Sequence, residues 1–317
     1  MHSIFPANNT PRVACITPVF NGGNQLIKLI DSLMNQSIMP DLFFVDSGSH
    51  DGSLELLEGR VKNVTKISAS SFNHGGTRQK MVDENSGYDI YIFLTQDCYL
   101  ENSFAIENLI KPFDDLTVGA VCGRQLPHIN ATKIAEHARL FNYPEQSTIK
   151  KITDIPRLGI KPAFLSNSFS AYRAKALHAV GGFPKHVIFG EDMYVAAKLL
   201  IEGWNIAYAG NAECRHSHNY TLREEFSRYF DMGVFHAREH WILEKFGGPG
   251  SEGIRYVKSE LLHLGFASLH LWPESIFRNA IKYAASKVGA YEKFLPNWIK
   301  SRAGMNSSFW DQDSNGG

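Results

Sequence analysis

Three side chains in this chain have the types and spacing to hold a metal ion. Asp97 closely follows residues 91–94, an apolar run that predicts a strand buried on both faces in a parallel sheet. His216 and His218 are two apart in a strand-like stretch, so their imidazoles share one face. Together with diphosphate oxygens, Asp97 and these histidines could complete a Mg²⁺ or Mn²⁺ site. A single histidine ligand is favoured over two, because these cations prefer oxygen. A cap or turn role is the alternative for Asp97.

A further carboxylate, Asp192, has the position expected of a general base. It lies in Gly190-Glu191-Asp192, which opens a predicted helix at 193–202. The helix dipole stabilises acids there whatever their function. If Asp192 faces a metal-bound diphosphate, it could take the proton from an attacking hydroxyl. Glu191 would point roughly 100° away around the helix and could not share that role.

Candidate nucleotide-binding residues follow the predicted strands. Asp46 and Asp51 could accept hydrogen bonds from a base imide or a ribose hydroxyl, although Asp46 could equally cap the next helix. Arg78 lies beside a Gly-Gly pair that lets backbone approach a ligand. The complete set is Pro18, Asn21, Asp46, Asp51, His74, Arg78 and Gln96. The first strand is not followed by GxGxxG, which disfavours a nicotinamide cofactor.

The elements that position these residues alternate between strand and helix. Strands are predicted at 13–20, 42–45, 64–67 and 91–94, with helices at 26–34 and 54–58 between the first three. Residues 72–78 are predicted as a loop and 79–85 as a helix. Right-handed crossovers make this arrangement half of a doubly wound α/β sheet, whose carboxyl edge carries the site. After about residue 120 the alternation fails, and a strand is predicted at 164–172 and a helix at 173–180.

Composition excludes several classes of protein. Lys plus Arg equals Asp plus Glu at 32 each, so no global field attracts nucleic acid. Four cysteines without a CxxC pair predict buried thiols in a reduced, cytoplasmic compartment. Residues 1–12 do not resemble a signal peptide, and no apolar stretch reaches the ~20 residues of a membrane span. We therefore expect a soluble or peripheral protein.

The C-terminal region is helical and basic. Residues 254–302 carry eight Lys or Arg against three Glu, interleaved with aromatic residues. Basic helices with aromatic faces predict docking on an anionic membrane surface. A helical cap or a dimer contact with a solvated basic face is the alternative.

Four motifs together resemble a known family. Residues 17–21, 46–53, 95–97 and 190–192 occur in the order typical of family 2 glycosyltransferases with a GT-A fold, and the resemblance spans about 12–240. Within that family, residues 72–78, 95–97 and 216–220 look most like bacterial rhamnosyltransferases that build O-antigen or related cell-surface polysaccharides.

The resemblance implies an inverting transfer from dTDP-β-L-rhamnose, or another nucleotide sugar, that uses a divalent metal. Asp46 would contact the base, while Asp51, His74 and Arg78 would line the nucleotide pocket. Asp97 would hold the metal and Asp192 would be the catalytic base. Gln96 replaces the first acid of the family's metal motif, which leaves Asp97 as the main carboxylate ligand.

The expected organisation is a GT-A (Rossmann-like) sheet with helices on both faces and a C-terminal helical extension. The catalytic domain covers 1–220, with a nucleotide half at 12–125 and an acceptor half at 126–220. Helices follow at 221–305 and a disordered tail at 306–317. Expected partners are the sugar donor, a lipid-linked glycan acceptor and the inner face of the plasma membrane, and a homo-oligomer stays open. The alternatives are a non-catalytic sugar-nucleotide-binding scaffold and a sugar-phosphate nucleotidyltransferase.

Overall fold

The computed structural model describes residues 11–248 and 250–310, and its centre is one mixed sheet of nine strands. Their bounds are β1 Val13–Val19, β2 Asp41–Asp46, β3 Asn63–Lys66, β4 Ile90–Leu94, β5 Tyr99–Leu100, β6 Val118–Leu126, β7 Thr148–Lys150, β8 Phe169–Arg173 and β9 Asn205–Arg215. The strand order is β3-β2-β1-β4-β8-β6-β9-β5, and β7 pairs with β9.

The first four strands form the parallel half of the sheet. β1 pairs in parallel with β2 and β4, and β2 pairs with β3 in the same way. All five residues of β4 are buried, which agrees with the predicted interior strand. Its other neighbour, β8, is antiparallel, so β4 is parallel on one side only.

Helices cover both faces of the sheet, as the α/β pattern predicts. Before residue 221 they are α1 Gly23–Met34, α2 Ser53–Arg60, α3 His74–Glu84, α4 Ala105–Ile110, α5 Lys133–Asn142, α6 Ile155–Leu158, α7 Ala174–Ala179 and α8 Glu191–Ile201. Apolar residues of α1, α2 and α4 pack in one hydrophobic cluster, and those of α3, α7 and α8 pack in another. Burying one apolar stripe of each helix against the sheet is the main source of their stability.

Helix α3 begins five residues earlier than the sequence predicts. The Asn73 side chain caps it by accepting a hydrogen bond from the Gly76 N–H at 2.7 Å. His74 and Arg78 therefore lie on the first two turns of a helix and not in a loop. Gly75 is required there because a Cβ would meet the Pro184 carbonyl oxygen at 1.8 Å.

The C-terminal region is helical, in agreement with its sequence pattern. Its helices are α9 Leu222–Arg238, α10 His240–Phe246, α11 Glu252–Leu264, α12 Trp272–Ala290 and α13 Asn297–Ala303. α9 and α12 pack with their backbones in close approach. A Cβ on Gly233 would meet the Ser286 carbonyl oxygen at 2.1 Å, and one on Gly289 would meet that of Phe230 at 2.0 Å. Small residues at both positions therefore set the separation of these helices.

The expectation of a disordered tail from residue 306 is wrong for its first five residues. Residues 304–310, which we call the C-terminal strap, pack against α9, and Trp310 is 2% exposed within a cluster that includes Phe230 and Val234. Burying this large indole offsets the entropy cost of ordering the strap. Residues 311–317 lie outside the described part of the chain.

All four cysteines are free and buried, as expected. Among the described residues, every helix is too short or too polar to cross a membrane.

Candidate active site

Strand pairing brings the three predicted metal ligands together. β5 is antiparallel to β9, with Tyr99 opposite Arg215. Asp97, two residues before Tyr99, therefore lies opposite the segment that carries His216 and His218. An oxygen of Asp97 is 3.4 Å from His216 Nε2 and 3.6 Å from His218 Nδ1. One ligand atom from each residue falls within 4.8 Å of the others, a grouping that could hold a metal ion.

The protonation of this triad suits a cation. Burial opposes ionisation of Asp97, but the neighbouring His216 and His218 outweigh it and hold the pKa of the carboxyl far below its usual range. Burial, reinforced by the charge of His216, lowers the pKa of His218 to about 3. Burial also lowers the pKa of His216. At neutral pH the triad therefore presents one carboxylate and two neutral imidazoles.

Gln125 at the end of β6 fixes the tautomer of His216. Its Oε1 atom accepts a hydrogen bond from Arg139 Nη1 at 2.7 Å and lies 2.9 Å from His216 Nδ1. Its Nε2 atom donates to the Ser166 hydroxyl at 3.0 Å. Because an amide oxygen only accepts, His216 must carry its proton on Nδ1. The lone pair of Nε2 then points towards Asp97, as in a metal-binding histidine held by an outer partner.

Asp192 is fixed at the start of α8. Gly190 enters the helix with φ of 78°, a left-handed conformation that favours glycine, and the two acids follow at once. One oxygen of Asp192 accepts the Asn167 N–H at 3.1 Å, and the other accepts the Met193 N–H at 2.8 Å. Burial, followed by the charge of Glu191, raises the pKa of Asp192 to about 7. A carboxylate with that pKa suits proton transfer near neutral pH.

Glu191, next to Asp192, is held in an ion pair with Arg78. Its carboxylate pairs with Arg78 Nη1 at 3.1 Å and accepts the Asn167 side-chain N–H at 3.0 Å. Arg78 also donates to the His74 carbonyl oxygen at 2.8 Å. Burial raises the pKa of Glu191, but the opposing charge of Arg78 prevails and the pKa is lowered. Glu191 is thus held in an ion pair, and Asp192 is left as the carboxylate that can transfer a proton.

Two cavities meet at Asp192. The larger has a volume of about 580 Å³ and contains the ends of β1 and β4, His74 and Arg78 from α3, and part of the C-terminal strap. The smaller, of about 290 Å³, lies among α5, α9 and the loop before α8. Asp192, His216 and His218 line both. We call the larger the donor-side cavity and the smaller the acceptor-side cavity, after the roles that we expect for them from the sequence.

The predicted nucleotide residues divide into two groups. Pro18, His74, Arg78 and Gln96 line the donor-side cavity. Gln96 holds the first loop, since its Oε1 accepts the Phe20 N–H at 2.6 Å and its Nε2 donates to the Phe20 carbonyl oxygen at 2.9 Å. Both ends of its side-chain amide are therefore occupied by the Phe20 backbone.

Asn21, Asp46 and Asp51 do not line this cavity. Asn21 Oδ1 accepts the His50 N–H at 2.8 Å, and Asp51 accepts the Gly23 N–H at 3.0 Å. A hydrogen bond from Ser53 lowers the pKa of Asp51. Both residues tie the first two loops together. Asp46 Oδ1 accepts two backbone N–H groups, while its buried Oδ2 has no hydrogen-bond partner among the described residues.

The strap adds residues to the donor-side wall that the sequence did not predict. Met305, Asn306, Ser307 and Ser308 line the cavity. Asn306 Oδ1 lies 3.3 Å from His74 Nε2, and the Met305 N–H donates to Asp231 at 3.0 Å. Gln125, Asn167 and Arg228 were also missed, since they lie outside any recognisable motif. Only the tertiary fold brings them to the site.

Comparison with known proteins identifies similar sequences over almost the whole length. Residues 14–181 match the family described as Glycosyl transferase family 2. The chain is 44% identical to the O-antigen chain rhamnosyltransferase RfbN of Salmonella typhimurium over 95% of this chain and 96% of that protein. It is 43% identical to the O-antigen chain rhamnosyltransferase WbaN of Salmonella anatum, with the same coverage.

Solved structures share the fold at low sequence identity. A mannosyltransferase of Pyrobaculum calidifontis, solved in complex with GDP-Man and Mn²⁺, superposes with a TM-score of 0.60 at 16% identity and covers 90% of this chain and 87% of its own. TarS of S. aureus, residues 1–349 in complex with UDP-GlcNAc, gives 0.51 at 14% identity, with 89% and 91% covered. These likenesses agree with the expected GT-A architecture.

Proposed function

This chain belongs to glycosyl transferase family 2, and we propose that it transfers L-rhamnose from dTDP-β-L-rhamnose to a hydroxyl of a lipid-linked glycan, with inversion. The full-length similarity to two O-antigen rhamnosyltransferases supports the sugar and the pathway class. The observation that carries the mechanism is the position of Asp192, where the two cavities meet beside the triad of Asp97, His216 and His218. The scaffold and nucleotidyltransferase alternatives have no comparable support.

The triad is our proposed metal site, and its donor set fits a divalent cation. A carboxylate and two neutral imidazoles offer both oxygen and nitrogen, which suits Mn²⁺ better than the strictly oxygen-preferring Mg²⁺. The related fold from Pyrobaculum was solved with Mn²⁺. A cation bound there would neutralise charge on the diphosphate as it leaves. Gln125 and Arg139 keep the Nε2 lone pair of His216 available for it.

Asp192 is our proposed catalytic base. The acceptor hydroxyl enters from the acceptor-side cavity and gives its proton to the carboxylate. Its oxygen then bonds to the anomeric carbon from the face opposite the diphosphate. The bond from that carbon to the diphosphate oxygen breaks, and its electron pair leaves with dTDP. A second carboxylic acid is unnecessary, since the leaving group departs as an anion and needs no proton, unlike that of a glycosidase.

In this proposal some of the predicted nucleotide residues contact the donor and others hold the loops around it. We assign Asp46 to the imide N–H of thymine, because its Oδ2 has no hydrogen-bond partner among the described residues and a buried acceptor without a partner is costly. Asp46 is 1% exposed and does not line the donor-side cavity, so this contact requires the loop that follows β2 to shift when the nucleotide binds. His74 and Arg78 form one wall, and Pro18 another. Asn21, Asp51 and Gln96 act by holding the loops in place.

The proposed transfer to a lipid-linked glycan also implies where the enzyme works. A lipid-linked glycan lies at the inner face of the plasma membrane, so we propose that the enzyme works there as a peripheral protein. The exposed aromatic and basic residues of the C-terminal helices are the surface we assign to that contact.

The test is a donor screen on the purified full-length chain with Mn²⁺ and membranes that contain lipid-linked acceptor. We expect dTDP release and sugar transfer from dTDP-β-L-rhamnose, and none from UDP-glucose or GDP-mannose. Asp192→Asn should lose transfer by about 10²- to 10⁴-fold while dTDP affinity stays nearly intact. Turnover of a different donor would overturn the donor assignment, and full activity of Asp192→Asn would overturn the base.

A further inference from the structure

Arg228 on α9 occupies a position at the active site that no sequence motif indicates. It lines both the donor-side and the acceptor-side cavity. Its guanidinium carbon lies 4.8 Å from the ring centroid of Phe189 and 5.9 Å from that of Tyr220. Two aromatic rings therefore restrict where the planar charge can lie, at little cost in hydrogen-bonding capacity.

Other arginines near the site have polar side-chain partners, and Arg228 differs from them. Arg78 pairs with Glu191, Arg278 pairs with Glu225, and Arg139 donates to Gln125. Within 11–248 and 250–310, Arg228 forms no ion pair with a carboxylate, although it is only partly exposed. A half-buried cation without an acid partner is a disfavoured arrangement unless an anion joins it.

The surroundings of Arg228 locate that anion. Arg228 lines the donor-side cavity together with His74, His216 and His218, and the two histidines of the triad also line the acceptor-side cavity with it. The guanidinium and the triad thus face one volume from α9 on one side and from the end of β9 on the other. An anion there would contact both.

We propose that Arg228 binds a diphosphate and neutralises the charge that develops on it during sugar transfer. This inference rests on the proposed function, in which the electron pair of the breaking bond goes to a diphosphate oxygen. The fork of a guanidinium matches two phosphate oxygens, and the two rings pre-orient it before the ligand arrives. The C-terminal helical region, through α9, then contributes directly to the catalytic site.

A diphosphate could come from the donor nucleotide or from the lipid-linked acceptor, because Arg228 lines both cavities. Three measurements on the full-length chain in Mn²⁺ distinguish them: binding of inorganic pyrophosphate, binding of dTDP, and the KM for lipid-linked acceptor. The variants are Arg228→Gln and Arg228→Lys. The matched control is Arg223→Gln, which changes an exposed arginine on the same helix that lines neither cavity.

We expect Arg228→Gln to bind pyrophosphate and dTDP about 10- to 100-fold more weakly, the loss of a charge-assisted contact. Its kcat should fall about 10²-fold, as when one oxyanion-stabilising donor is removed. Arg228→Lys should lie between it and wild type, because it keeps the charge without the fork. Arg223→Gln should match wild type.

Weaker pyrophosphate binding together with a raised acceptor KM, at unchanged dTDP affinity and kcat, identifies the lipid-linked acceptor as the source of the diphosphate and overturns the role in neutralising the leaving group. Equal pyrophosphate and dTDP affinity and equal kcat in all four proteins overturn the proposal. The pyrophosphate and dTDP measurements need no turnover, so they remain decisive even if dTDP-rhamnose proves not to be the donor. Arg228→Lys keeps the test valid if Arg228→Gln folds poorly.

Discussion

Glu191 and Asp192 show how neighbouring residues of one type acquire different chemistry. Glu191 is buried and Asp192 is partly buried at the start of α8, where the helix dipole favours an anion. Arg78 pairs with Glu191 at 3.1 Å, whereas Asp192 accepts hydrogen bonds from two backbone N–H groups. Burial and the charge of Glu191 therefore raise the pKa of Asp192 to about 7, while that of Glu191 is lowered. Two neighbouring acids whose pKa values are shifted in opposite directions are common in acid–base sites.

A pH dependence follows for the free enzyme. Asp192 must be deprotonated to act as base, so kcat/KM for dTDP-rhamnose should rise about tenfold per pH unit below pH about 7 and level off above it. Glu191→Gln removes the charge that raises this pKa, so the inflection should move to lower pH. Steady-state kinetics between pH 5 and 9 provide the measurement. A flat profile, or an inflection unmoved in Glu191→Gln, would contradict the assignment of Asp192.

Gln125 gives a second prediction at the scale of one residue. Gln125→Leu removes the acceptor that holds His216 Nδ1, so Mn²⁺ affinity should fall about 10- to 100-fold, as for other outer partners of metal-binding histidines. Gln125→Glu should retain the affinity because its carboxylate still accepts from His216 and Arg139. Titration with Mn²⁺, followed by the spectroscopic signal of the free ion, measures both. Identical dissociation constants for Gln125→Leu and wild type would refute this role.

The residues that were predictable from sequence are those attached to strand ends. Asp97, His216 and His218 could be placed together because strand alternation and the sheet edge define their positions. Gln125 and Arg228 could not, since each reaches the site through contacts with residues distant in the chain. Gln96 was predicted as a nucleotide contact, and its side chain proves to hold the Phe20 backbone.

Among the elements, α3 and the C-terminal strap depart most from expectation, for different reasons. The Gly75-Gly76 pair has low helix propensity and predicts a loop. The helix forms nevertheless, because Asn73 caps it and only glycine fits against Pro184. The strap is polar enough to predict disorder, yet Trp310 anchors it in an aromatic cluster. Tertiary contacts override local composition in both cases.

The anchoring of the strap can be tested with Trp310→Ala. Truncating a buried Trp costs about 3–5 kcal/mol, more than so short a segment can recover from its few hydrogen bonds. We expect the strap to detach, the KM for dTDP-rhamnose to rise several-fold, and amide exchange over residues 304–310 to accelerate. Phe104→Ala is the control, because Phe104 is 56% exposed and lies outside the C-terminal helices. An unchanged KM, despite faster exchange, would show that the strap does not shape the donor-side cavity.

For the molecule as a whole, the parallel half of the sheet was predictable and the mixed half was not. β1 to β4 are joined by short helical crossovers, and their alternation is visible in the sequence. β8 inserts between β4 and β6 in the opposite direction, after a long irregular stretch. Tyr91 of β4 pairs with Tyr172 of β8, about 80 positions further along the chain. Local sequence patterns cannot indicate a pairing over such a distance.

The C-terminal helices leave one surface of the molecule aromatic and basic. α12 buries one face against α9 and exposes another, which carries Ile276, Phe277, Tyr283, Lys287 and Val288 at helical spacing, and the exposed Tyr291 follows directly after the helix. Lys287 lies over the ring of Tyr283, Lys293 over that of Phe294, and Arg302 over that of Trp298. These three cations form no ion pair with a carboxylate in the described part of the chain, whereas Arg278, Lys282 and Lys300 are paired with buried acids. The excess positive charge of the region is therefore outward-facing.

This surface predicts reversible binding to anionic membranes. Each exposed cation contributes about 1 kcal/mol at an anionic surface, so replacing Lys287, Lys293 and Arg302 together by Gln should lower the partition coefficient roughly 100-fold. Replacing Phe277, Tyr283 and Trp298 by Ser should weaken binding by loss of buried apolar area, with the salt dependence retained. Phe104→Ser, at an exposed position outside the C-terminal helices, is the control. Flotation with phosphatidylglycerol vesicles, compared with phosphatidylcholine vesicles and with high salt, separates the two contributions. If both triple variants float like wild type, this surface does not bind the membrane. The alternative is that it contacts a second copy of the chain, which sedimentation would test.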